Sequence, residues 1–182
     1  AIASKYRNAG QTCVCANRLF VAAAVAPAFE QKLAAAVAAL KVGAGVEAAV
    51  QQGPLIDVQA VCKVEEHIGD ALAKGGRLVA GGQRSVLGGT FFQPTIITGC
   101  TPDMLLAREE TFGPLAPIFV FETEAEAVAL ANASEVGLAA YMYTRDLARA
   151  WRVAEALEVG MVGINSGILS TEVAPFGGIK DS

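Results

Sequence analysis

Apolar residues along this chain alternate between two textures. Short, near-continuous apolar runs at 18–25, 114–122, 137–146 and 161–165 read as buried strands, with briefer extended pieces at 77–82 and 90–100. Pro94, within the 90–100 piece, suggests an edge or a bulge there. Between these runs, apolar positions recur at helical spacing. Residues 1–8 look like the end of a helix stopped at Gly10. Pro27 suits the first turn of a helix through Leu40, with Phe29, Leu33, Ala36, Val37 and Leu40 on one side. Asp57 caps a helix running to Lys74, which Gly75 and Gly76 stop. Thr123, with Glu126 three residues on, forms a capping box, and a further helix follows 146. Strands alternating with helices predict an α/β layered domain: a mostly parallel sheet with helices on both faces.

Composition narrows the class. The chain has 182 residues, the size of one domain or of a large piece of a longer protein. It is 53% hydrophobic, with a mean hydropathy of +0.44, which suits a large core or an extensive docking surface. No apolar run reaches the roughly 18–20 residues of a membrane helix, and no secretory leader is recognisable. A net charge of −4 without a Lys/Arg cluster excludes a nucleic-acid surface. Four cysteines (Cys13, Cys15, Cys62, Cys100) make no disulfide framework, so a reducing, cytoplasmic setting is expected. The uncapped start and the open stop at PFGGIKDS look like cut ends.

Two clusters carry candidate chemistry. In RNAGQTCVCANR, Cys13 follows a Gly-Gln-Thr turn that reads as flexible. A metal site would need more ligands, and none is expected. The only histidine, His67, reads as an ordinary helix-surface residue. A nucleophilic thiolate on a turn fits better, while two buried thiols remain the plain alternative. In REETFGPLAP, a glutamate can accept hydrogen bonds from sugar hydroxyls while Phe112 stacks on a flat ligand. The alternative is a solvated turn with Phe112 as a buried anchor. The G-x-G-x-x-A match at 43–48 follows a helix rather than a strand, so it reads as a plain loop.

In series, NAGQTCVCANRLFV, EETFGPLAP, GLAAYMYTRD, GINSG and APFGGIKDS resemble the NAD(P)-dependent aldehyde dehydrogenase superfamily over the whole chain. YRNAGQTCVCANR, GPLID, KVEEHI, FFQPTI and EVAPFGG resemble its branch acting on succinate semialdehyde, with glutarate semialdehyde as the alternative substrate. The resemblance implies that Cys13 is the nucleophile, passing through a thiohemiacetal and a thioester. It implies that Glu110 and Phe112 contact the nicotinamide riboside of NADP or NAD, with Lys63 a weaker cofactor-side match. Arg7 and Ser170 would hold the substrate's distal carboxylate, Phe176 would line the aldehyde path, and Cys15 is a candidate redox partner of Cys13. It further implies that residues 1–182 are a catalytic domain truncated at both ends, without the dinucleotide-binding domain and the oligomerisation strand. On that reading the isolated chain is inactive, and the full-length enzyme is a homo-oligomer, dimer or tetramer, acting on a small semialdehyde. A non-catalytic binding or structural domain is the alternative of a different class.

Overall fold

The computed structural model describes residues 1–182, which divide into two compact units, Ala1–Val120 and Phe121–Ser182. In the first unit the order is α1 (Ile2–Lys5), β1 (Leu19–Ala22), α2 (Ala26–Ala38), α3 (Val58–Ala73), β2 (Arg77–Ala80), β3 (Thr95–Thr98), α4 (Leu105–Arg108) and β4 (Leu115–Phe121), whose last residue falls at the division. The strands form one sheet in the order β1-β4-β3-β2. β3 and β4 run parallel, with Ile96 opposite Ala116, and β2 runs antiparallel to β3 at the edge.

Alternation along β3 and β4 sends neighbouring side chains to opposite faces. Ile97, Leu115 and Phe119 pack with Val61, Val64, Ile68 and Ala71 of α3. Ile96, Ala116 and Ile118 pack with Leu33 and Val37 of α2. Helices therefore cover both faces of this sheet, and each large apolar side chain buried there stabilises the fold by about 1.5–3 kcal/mol. Asp57 caps α3 as its sequence suggests, its carboxylate accepting the Ala60 N–H at 2.8 Å.

The Pro94 expectation is corrected. All four residues of β3 are buried in the sheet interior. Pro94 precedes the strand, where its missing N–H costs no ladder bond. The bulge lies instead in β2, between Leu78 and Ala80. Residues 43–48 lie in the irregular segment between α2 and α3, as a plain loop should.

The second unit contains α5 (Glu124–Asn132), β5 (Val136–Gly137), β6 (Ala139–Met142), α6 (Leu147–Ala156), β7 (Met161–Ile164) and β8 (Ile179–Lys180). β6 and β7 pair in parallel, and β5 and β8 pair antiparallel. Side-chain caps start both helices: Thr123 accepts the Glu126 N–H at 3.2 Å, and Asp146 accepts the Arg149 N–H at 3.1 Å. No helix of the chain is long and apolar enough to cross a membrane.

Candidate active site

Cys13 is exposed on an irregular loop between α1 and β1, and the loop is held along its length. α1 is anchored to β3 by Tyr6, whose hydroxyl donates to the Thr95 carbonyl at 2.8 Å. The chain then reverses through Arg7–Gly10, where Asn8 and Ala9 adopt left-handed backbone angles. Such angles are strained for alanine. The Asn8 side chain stitches the reversal by donating to the Gln11 carbonyl at 2.9 Å. The Gln11 side-chain oxygen accepts the Ile56 N–H at 2.8 Å, which fixes the loop to the segment before α3. Beyond Cys13, Cys15 N–H donates to the Thr12 carbonyl at 2.8 Å, and Ala16 N–H donates to the Ser4 carbonyl at 2.7 Å. Cys13 thus sits at the tip of a tight turn, and its own N–H has no acceptor within the chain.

The turn before Cys13 is locked rather than flexible. Gly10 has φ +77°, and a Cβ there would lie 2.1 Å from the Gly113 carbonyl oxygen. Only glycine permits both that backbone and that approach. Gly113 closes the EETFG stretch, so the Cys13 loop and that stretch are packed backbone to backbone.

Within the stretch, exposure alternates: Glu110 is exposed, Thr111 is buried, and Phe112 is 39% exposed with φ 52°. Phe112 is therefore not a buried anchor. Asn17, four residues after Cys13, donates to the Glu109 carbonyl at 3.1 Å and accepts the Thr111 N–H at 3.1 Å. It brackets Glu110 on the backbone. His67 of α3 brackets it through side chains, with Nδ1 3.0 Å from the Thr111 hydroxyl and Nε2 3.6 Å from the Glu109 carboxylate.

That placement overturns the reading of His67 as a helix-surface residue, since it is 1% exposed. Its position gives the reason: it lies one turn from both Val64 and Ala71, on the flank of the apolar stripe of α3. Burial holds the imidazole below its ordinary pKa, the Lys63 charge adds to that, and Glu109 opposes it.

Lys5, also 1% exposed, is a second buried titratable group, and it has no sequence signal. Burial lowers its pKa to about 8, against the opposing attraction of Cys15 and Glu110. Asn17, His67 and Lys5 are the residues that reading by motif missed. The stripe position of His67 was the one local clue.

The remaining candidates fall as follows. Arg7 is half-buried and takes part in none of the chain's ion pairs. Its carbonyl accepts from the Cys15 thiol at 3.6 Å, and Cys15 is a half-buried free thiol. Lys63 is half-buried on α3. In the second unit, Ser170 is exposed and Phe176 is 56% exposed, both on the segment between β7 and β8. No group of three or more His, Cys, Asp or Glu side chains is placed to hold a metal ion.

Chemically, the first unit offers an open thiol with a free N–H at its own backbone. The short, clamped stretch packed against its loop carries an exposed carboxylate and an exposed aromatic ring. An exposed carboxylate can accept hydrogen bonds from hydroxyls, and an exposed ring offers a flat apolar face.

Comparison with known proteins bears on the same residues. The profile described as "Aldehyde dehydrogenase family" matches residues 1–182. The glutarate-semialdehyde dehydrogenase of Pseudomonas aeruginosa is 62% identical over 182 residues, covering 100% of this chain and 38% of that protein. The NADP(+) succinate-semialdehyde dehydrogenase of Escherichia coli K12 is 60% identical, with the same coverage of 100% and 38%. The crystal structure of succinate-semialdehyde dehydrogenase from Burkholderia pseudomallei superposes with a TM-score of 0.97 at 65% identity, covering 98% of this chain and 37% of that one. The chain thus spans well under half the length of the relatives it matches.

Proposed function

The chain belongs to the aldehyde dehydrogenase family, and from that premise we propose that the full-length protein oxidises succinate semialdehyde to succinate with NAD(P)+. Residues 1–182 are its catalytic domain. The observation that carries the reading is the exposed Cys13 thiol on a loop locked, at Gly10 and Asn17, to the stretch that presents Glu110 and Phe112.

The Cys13 thiolate attacks the aldehyde carbon. The unpaired Cys13 N–H then faces the developing oxyanion, an interaction worth roughly 3–4 kcal/mol per donor in acyl transfer. When bound, the nicotinamide supplies the oxidant. Glu110 would accept hydrogen bonds from the ribose hydroxyls, Phe112 would hold the nicotinamide, and Lys63 would contribute on the cofactor side. Oxidation leaves an acyl thioester on Cys13, and water releases the acid and the thiol. Arg7, free of internal ion pairs, supplies a guanidinium to the substrate's distal carboxylate. Ser170 and Phe176 keep the substrate-side roles that the family resemblance gives them.

Steady-state oxidation of succinate and glutarate semialdehyde by the full-length protein tests this. Turnover of succinate semialdehyde with the higher kcat/KM is expected. One methylene separates the two by only about 1–3 kcal/mol, so both should react. A higher kcat/KM for glutarate semialdehyde makes the longer acid semialdehyde the substrate. No turnover of either sinks the assignment.

A further inference from the structure

The bonds on either side of Glu110 form a closed arrangement. Asn17 ties the backbone on both sides of it, at the Glu109 carbonyl and the Thr111 N–H, each at 3.1 Å. His67 ties the side chains on both sides of it, at the Glu109 carboxylate and the Thr111 hydroxyl. A carboxylate only accepts, so the ring proton belongs on Nε2 facing Glu109. Nδ1 then accepts from the Thr111 hydroxyl. Each of the four contacts lands one residue away from Glu110, and none uses its carboxylate, which stays exposed. Asn17 belongs to the nucleophile loop and His67 to α3, so the clamp also ties Glu110 to the Cys13 loop and to the core.

We propose that His67, with Asn17, is a positioning residue that holds the Glu110 carboxylate for cofactor and ties its place to the nucleophile loop. The proposal rests on the reading of Glu110 as a cofactor ligand. The logic is one of preorganisation: a short irregular stretch, exposed at Glu110 and Phe112, would otherwise lose conformational freedom each time it binds. A buried imidazole, fixed on α3, removes that freedom in advance. A merely structural His67 would affect stability and leave ligand affinities alone.

The test uses the full-length enzyme and the variants His67→Leu, Thr111→Val, His67→Asn and Glu110→Gln. The readouts are the dissociation constant of NAD(P)H by fluorescence, the KM of the semialdehyde at saturating cofactor, and the alkylation rate of Cys13. His67→Leu and Thr111→Val should each weaken cofactor binding roughly five- to tenfold, the size of one lost hydrogen bond. Semialdehyde KM and Cys13 alkylation should stay within about twofold of wild type. Because the two variants share the His67–Thr111 link, the double variant should bind cofactor no worse than His67→Leu alone. His67→Asn keeps a polar atom near the Nδ1 position and should recover most of the affinity. A His67→Leu protein that melts earlier but binds cofactor as wild type does overturns the positioning role. The near-isosteric Thr111→Val answers the same question if His67→Leu does not fold. Should Glu110→Gln leave cofactor affinity unchanged, the reading of Glu110 fails, and the clamp's proposed purpose fails with it. Weakening by Glu110→Gln alone, with Thr111→Val silent, keeps the reading and overturns the clamp.

Discussion

The stretch around Glu110 and the segment around Ser170 are both exposed and both irregular, yet they are held in opposite ways. The first is bonded to residues far away in sequence: Asn17, His67 and, by close approach, Gly10. Around Ser170 the hydrogen bonds of the second are local, with the Ser166 hydroxyl donating to the Ile168 carbonyl at 2.8 Å and the Val173 N–H donating to Thr171 at 3.4 Å, and its longer-range ties are close approaches alone, of Leu169 to Gly163 and of Gly177 to Gly160. Long-range bonds remove conformational freedom before a ligand arrives, whereas local turns leave more of it. The proposed cofactor-side groups are thus tied by long-range hydrogen bonds, and the proposed substrate-side hydroxyl is not. Changes in the first region should reach stability and cofactor together, and changes in the second should reach only the substrate.

Gly10→Ala should do the greatest damage, because its Cβ meets a backbone carbonyl and its φ is left-handed. A loss on the order of 3–5 kcal/mol is expected in urea unfolding. A loss under about 1 kcal/mol would mean that the two loops are not locked together.

Next comes Lys5→Met, read against pH. Below about pH 8 both folded and unfolded chains carry the Lys5 charge, and its burial cost is fully felt. Between about 8 and 10.5 the folded chain has already released the proton that the unfolded chain still binds, so this group adds stability as pH rises. The methionine variant lacks that gain. Its stability relative to wild type should fall, by on the order of 3 kcal/mol, across that window. Parallel stability curves for the two proteins would show that Lys5 is not a buried charge.

The smallest effect belongs to Ser170→Ala. Semialdehyde KM should rise roughly three- to tenfold, as for one lost hydrogen bond, with the melting temperature and cofactor affinity unmoved. A drop in melting temperature would erase the contrast between the two regions.

The sequence shows helices better than neighbourhoods. α3 was legible from Asp57 to Lys74 because a capping carboxylate, a helical apolar stripe and a glycine pair are all local signals. The interior place of β3, the antiparallel run of β2 and the division at Val120 were not. Pairing order depends on residues distant in sequence, and Pro94 by itself pointed to an edge. In the candidate site, Cys13, Glu110 and Phe112 stood out by motif, since a reacting or ligand-facing group must be exposed and chemically distinctive. Gly10 stood out too, but its apparent flexibility concealed a contact with Gly113 that no local pattern encodes. Asn17 and His67 bond to residues distant in sequence, and Lys5 is buried, and a polar side chain read locally signals neither.

The central claim is that Cys13 carries the acyl intermediate. Acid quenching of the full-length enzyme during turnover of succinate semialdehyde, followed by peptide fragmentation in the mass spectrometer, tests it directly. The account predicts an acyl thioester on Cys13, with Cys15, Cys62 and Cys100 unmodified. An adduct on another cysteine, or sustained turnover by a Cys13→Ala enzyme, would contradict it.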